Sequence, residues 1–161
     1  MPNPVSPDAT ALPETVSTPA GIIFFDGECL LCNGFVDLLL RLDTAGIFAM
    51  APLQGPTAQR LLPPRSDRAE DWSMYYLETA AGSTQAADIE ETGTLYSQSD
   101  AAIAVMARLG GIWSVLSWIR LIPRALRNAI YRIIARNRYR WFGRRATCRR
   151  PSPQEQARFL P

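Results

Sequence analysis

A chain of 161 residues, 47% hydrophobic and 20% charged, has the length and composition of one domain with a sizeable core. No stretch approaches about 18 uninterrupted apolar residues, so the sequence predicts no membrane-spanning helix. The net charge of +2 conceals a split: all 17 basic residues are Arg. Residues 1–100 hold 4 of them against 14 acids, while residues 101–161 hold 13 against one.

Residues 1–19 are rich in Pro, Thr, Ser and Ala and lack hydrophobic periodicity, which predicts a disordered leader. They have neither the basic n-region nor the apolar h-region of a signal peptide. With no export signal and three cysteines, the expected compartment is the reducing cytoplasm. There a Cys-x-x-Cys is more often catalytic than a structural disulfide.

Ile22-Ile23-Phe24-Phe25 reads as a buried strand (about 21–25) and runs directly into Asp26-Gly27-Glu28-Cys29-Leu30-Leu31-Cys32. A helix follows over about 30–43, with Leu31, Phe35, Leu38, Leu39 and Leu42 on one face and Asn33, Asp37 and Arg41 on the other. Cys29 therefore falls at the first turn of a helix, where free N–H groups and the dipole favour thiolate. This order predicts a dithiol/disulfide redox protein. The bland alternative is two small apolar residues at the edge of a core. A closed four-ligand zinc or iron–sulfur site would need Asp, Glu or a second chain, because the only other thiol is Cys148 and there is no His; no cofactor or metal is expected.

Ile47-Phe48-Ala49-Met50 reads as the second strand, and residues 57–62 as a short helix stopped by Pro63-Pro64. Ser73–Glu78 and Gly93–Ser97 read as strands three and four, joined by an acidic connection. Ser99 and Asp100 are N-cap candidates for a helix through Leu109, ended by Gly110-Gly111. The result is α/β: a βαβ unit plus a hairpin, giving a four-stranded mixed sheet with flanking helices. A C-terminal helical extension follows, with one helix over about 112–122 and another opened by Pro123 at N1. In that last helix Leu126, Ala129, Ile130, Ile133 and Asn137 share a face, with Arg124, Arg127, Arg132 and Arg138 largely opposite. The expectation is a layer packed on the sheet, its arginines solvated or paired with the acidic half. Residues 20–161 then form a single domain. A basic amphipathic helix with Trp113, Trp118 and Trp141 also suits peripheral contact with an anionic membrane. No base-reading motif is recognisable, so no nucleic-acid partner is expected.

The motif resembles that of the thiol-disulfide oxidoreductases called DCC, after Asp-x-x-Cys-x-x-Cys. The resemblance extends to Ala51-Pro52-Leu53-Gln54, to Ser99-Asp100-Ala101-Ala102, to the stretch from Ala135 to Gly143, and to Cys148-Arg149-Arg150-Pro151 and Arg158-Phe159-Leu160. It implies a thioredoxin-like fold and a disulfide reductase activity without a defined substrate. The chain departs from thioredoxins in having no proline among Glu70-Asp71-Trp72-Ser73 before the third strand, and Leu30-Leu31 between the cysteines.

Thiol–disulfide exchange assigns Cys29, expected to be the more exposed sulfur, as the attacking thiolate and Cys32 as the resolving thiol. Asp26 either relays a proton to Cys32 and tunes its pKa, or caps the turn through backbone N–H groups. Glu28 is expected to point to solvent. Cys148, among Arg144, Arg145, Arg149 and Arg150, is either an accessory redox thiol or a structural residue of the tail. The expected partners are a disulfide-containing protein or small thiol and an unidentified electron donor. The competing reading is a non-enzymatic thiol module that binds a metal, or that docks a partner or membrane through its basic helices.

Overall fold

Five consecutive residues without a charge, Gly21–Phe25, can be buried on both faces of a sheet, and in the computed structural model they form its second position as β1. The structure describes residues 19–68, 71–79, 93–147 and 150–161. The expected leader therefore lies outside the described residues up to 18, as do most of the connection between strands three and four (80–92) and Cys148. After β1 come α1 (Leu30–Leu42), β2 (Phe48–Pro52), α2 (Pro56–Leu61), β3 (Tyr75–Glu78) and β4 (Thr94–Ser97). Then follow α3 (Gln98–Leu109), a 3-10 helix (Gly111–Leu121), α4 (Arg124–Phe142) and a 3-10 turn (Gln156–Arg158).

The sheet order is β2-β1-β3-β4, with β1 parallel to β2 and antiparallel to β3, and β3 antiparallel to β4. This is the four-stranded mixed sheet with flanking helices that the sequence predicts. Alternation along β1 sends Ile23 and Phe25 into a core with Val36, Leu39, Met50 and Val105, beneath α1 and α3. Ile22 and Phe24 enter the opposite core with Leu53, Ala58 and Leu62, beneath α2. Gly21 is required at the start of β1, since a Cβ there would lie 2.4 Å from the Tyr76 ring. The C-terminus runs alongside β2: Leu160 N–H donates to the Met50 carbonyl (2.8 Å), and Arg158 pairs with the buried Asp43. That tail shields part of the sheet edge.

Several boundaries and faces differ from expectation. Ser97, not Ser99 or Asp100, occupies the N-cap of α3. Ser99 instead donates to Asn128 Oδ1 (2.5 Å), and Asp100 pairs with Arg124 (2.7 Å) and Arg127 (2.9 Å), which ties α3 to α4. In α1, Asn33 and Val36 are buried whereas Leu38 is exposed. Asn33 turns inward because its amide bonds the backbone ahead of the helix. The segment after Gly111 is a 3-10 helix. Most significantly, α4 is seated with its polar side inward: Arg138 is 4% exposed, while Leu126, Ile130 and Ile133 face solvent. The buried Asp26 and the half-buried Asp100 supply the partners that draw Arg138 and Arg127 in.

Candidate active site

Where β1 ends, the chain turns through Asp26–Glu28 into Cys29, the N-cap of α1. Cys29 Sγ accepts the Cys32 N–H at 3.3 Å, the bond a capping oxygen usually accepts. Asn33 holds this turn, donating to the Gly27 carbonyl (2.9 Å) and the Cys29 carbonyl (2.7 Å). Both cysteines are free thiols.

The two sulfurs are electrostatically unequal. A hydrogen bond from the Cys32 thiol, opposed by burial and aided by the Cys32 N–H and the Arg138 charge, lowers the Cys29 pKa to about 7. The hydrogen bond to Cys29, burial and the negative charge forming on Cys29 all push Cys32 upward. Exposure runs against the expectation: Cys29 is completely buried and Cys32 is only partly buried. The cover comes from the residues after α4. Gly143 leaves the helix at φ 92°, a conformation that suits glycine, and its carbonyl accepts Leu30 N–H (3.3 Å). Arg144 bridges to Cys29 across an antiparallel backbone contact, and Arg145 N–H donates to the Glu28 carbonyl (2.8 Å). Glu28 is not simply solvated. Its carboxylate accepts Arg144 Nε at 2.8 Å and also bonds the guanidinium NH2, closing the strap.

Asp26 lies beneath the turn, fully enclosed. It accepts Glu28 N–H (3.1 Å), Gln54 Nε2 (2.8 Å), Arg138 NH2 (2.9 Å) and the Tyr139 hydroxyl. Burial alone would raise its pKa, but the bonds from Tyr139, Arg138, Gln54 and Glu28 outweigh it and hold the carboxyl below the usual range. Burial and the bond to Asp26 raise Tyr139, which stays a donor. Turn capping is thus visible, together with a committed ion pair. Arg138 also donates to the Trp72 and Ala135 carbonyls (3.1 and 2.8 Å).

Beside Cys32 opens a cavity of about 260 Å³. Phe35, Trp72, Met74, Tyr131 and Ile134 line it, with Asp26 and Arg138 contributing charge. Tyr131 Oη accepts the Met74 N–H (2.8 Å), and the Met74 carbonyl accepts Gln98 N–H (3.1 Å). The backbone just before β3 is therefore already hydrogen-bonded internally. Among the described residues no group of three or more Cys, Asp or Glu is placed to hold a metal ion, and no helix is long and apolar enough to cross a membrane.

A free dithiol at a strand-to-helix junction, on a four-stranded mixed sheet, is the arrangement expected of the thiol–disulfide exchange class. The chain belongs to the DCC1-like thiol-disulfide oxidoreductase family, whose model matches residues 23–144. It is 34% identical over 143 residues to the uncharacterized protein YuxK of Bacillus subtilis, covering 89% of this chain and 96% of that one. It is 29% identical over 128 residues to the DCC family protein At1g52590, chloroplastic, of Arabidopsis thaliana, covering 79% and 67% respectively. No solved structure matches the chain. Family membership supports a thiol–disulfide redox role.

The structure brings Asp26, Cys29 and Cys32 together, while Cys148 lies outside the described residues. Residue-level reasoning missed Gln54, Arg138, Tyr139 and the Glu28–Arg144 pair as parts of the site. A signal existed for α4: Arg127, Tyr131 and Arg138 recur at spacings of four and seven, which is a polar helical stripe in its own right.

Proposed function

We propose that the protein is a disulfide reductase in which Cys29 attacks and Cys32 resolves. The observation that carries this reading is the asymmetry of the pair, with a Cys29 pKa near 7 beside a raised Cys32. Cys29 thiolate attacks one sulfur of a substrate disulfide; that S–S bond breaks, a mixed disulfide forms, and the first substrate thiolate leaves. Cys32 then loses its proton to the departing sulfur and attacks Cys29 Sγ. The Cys29–Cys32 disulfide forms and the second thiol is released, so the substrate gains two electrons, one proton from Cys32 and a second from solvent, where Cys29 had released its own. An external thiol donor returns the pair to the dithiol. Substrate access to Cys29 requires the Gly143–Arg145 strap to shift.

Asp26 acts in this scheme as a positioning residue. A carboxylate held below its usual pKa and already bonded four ways is a poor proton acceptor, but it fixes Arg138 near both sulfurs. The apolar cavity beside Cys32 suits a disulfide flanked by an apolar group, and the occupied Met74 backbone argues against β-strand addition at that point. A compartment that keeps thiols reduced, such as the cytoplasm, fits net flow in the reductive direction.

The test is trapping. Cys32→Ser incubated with a glutathione mixed disulfide or insulin should accumulate a mixed disulfide on Cys29, whereas Cys29→Ser should neither trap nor turn over. Capture through Cys32 in the Cys29→Ser protein would reverse the roles. Absence of any exchange by the wild type would remove the reading altogether.

A further inference from the structure

The 3-10 helix after Gly111 has three residues per turn, so residues three apart eclipse one another. Ile112, Val115, Trp118 and Leu121 therefore form one ridge, and they are 77%, 59%, 72% and 81% exposed. Such a ridge is costly to leave in water. In α4 the outward stripe is Leu126, Ile130 and Ile133, continued by Trp141 one turn before the strap, each half exposed or more. At 19 residues this helix is about 28 Å long, so the stripe is extended rather than local.

The charge on these elements has one sign. No acid occurs between Ala101 and Gln154, and α4 carries arginines alongside its apolar stripe. Arg124 and Arg127 are tied to Asp100, and Arg138 to Asp26. Arg120, Arg132 and Arg140 make no ion pair with the described residues, and Arg136 reaches Asp71 only at 3.9 Å. Apolar and Trp side chains bordered by arginine describe a segment that lies in a lipid interface, its stripe among the acyl chains and its cations at phosphate level. An interface between two copies would instead bring two arginine-rich faces together, with like charges opposed. We propose that the 3-10 helix and α4 dock the protein peripherally on an anionic phospholipid surface. The proposal is independent of which cysteine attacks.

The experiment is sedimentation of the full chain with vesicles. One set contains phosphatidylcholine alone and the other equal parts phosphatidylcholine and phosphatidylglycerol, and light scattering of the free protein runs in parallel. The expected result is retention on the mixed vesicles at low salt and little on phosphatidylcholine. Retention should weaken at about 0.5 M salt, where screening shortens to a few ångströms. Trp118→Asp and Ile130→Asp should each weaken retention about tenfold or more. Both sites are exposed, so a cooperative melt and unchanged exchange with a small soluble disulfide mark these variants as folded. Arg140→Glu supplies a second arm that leaves the apolar stripe intact, and it should weaken retention on mixed vesicles only. No retention on anionic vesicles at low salt would overturn the proposal. So would equal retention on both vesicle types, or a dimer that the Asp variants split without any vesicle binding.

Discussion

Arg138 and Asp26, 112 residues apart in the chain, meet at 2.9 Å with both side chains almost wholly enclosed. The pair joins α4 to the turn that precedes Cys29, so the C-terminal helix is part of the redox site's foundation. A buried ion pair contributes little over well-packed apolar residues, but removing one partner leaves a charge stranded.

Arg138→Met should therefore destabilise the protein by about 3–5 kcal/mol, measured by urea unfolding. Asp26→Asn/Arg138→Met should recover a good part of that loss. A double-variant cost equal to the sum of the separate Asp26→Asn and Arg138→Met costs would mean that the two residues are not coupled.

Acid stability carries the signature of Asp26. Its folded pKa lies below the unfolded value of 3.8, so its contribution is complete above that value. It is lost as pH falls through the folded pKa, because the unfolded state then binds the proton more readily. Asp26→Asn should flatten the acid limb of the stability profile below about pH 4. An unchanged limb would show that other carboxylates dominate.

Alkylation of reduced protein should titrate near the Cys29 value of about 7. Cys32→Ala removes the largest stabilising hydrogen bond and should move the midpoint upward; Arg138→Met should move it in the same direction by less. The linked stability has a defined sign. Between the folded pKa of about 7 and the ordinary 9.0, the unfolded state holds a proton that the native state has released. Stability of the reduced form should thus rise with pH across that window. A midpoint near 9.0 that is insensitive to Cys32→Ala would contradict the thiolate assignment.

The strap makes a kinetic prediction. Glu28→Gln or Arg144→Ala loosens the cover on Cys29 and should speed its alkylation at fixed thiolate fraction by roughly two- to fivefold, the scale set by one exposed ion pair. Rates unchanged after correction for pKa would show that the backbone contacts of Gly143 and Arg145 alone hold the cover.

Truncation after Gly111 tests whether residues 20–161 act as one domain. It strips Asp26 of Arg138 and Tyr139, Asp43 of Arg158, and the cores of Trp113, Phe159 and Leu160. A buried charge left unpaired costs about 3–5 kcal/mol, a large share of a typical domain's stability of about 5–15 kcal/mol. The fragment should be insoluble or lack cooperative unfolding. A soluble, exchange-active fragment 1–111 would show that the C-terminal region is dispensable.

The sheet was legible because its signals are local. β1 is a short uncharged run, α1 follows from spacings of three and four, and the Cys-x-x-Cys falls between them. The acidic and arginine-rich halves are equally plain in the residue order. By itself, then, the sequence determines the element succession, the dithiol at a helix start and the segregation of charge. Tertiary structure alone decides which side of α4 faces inward and which sulfur is covered. A helical pattern divides residues into two faces without saying where each will lie, and Arg138 turns inward only because Asp26 waits there already buried. Likewise the position of Cys29 promises a thiolate, but its exposure depends on Arg144 returning from the far end of the chain to bond Glu28. Contacts between residues more than a hundred positions apart leave no periodicity to read.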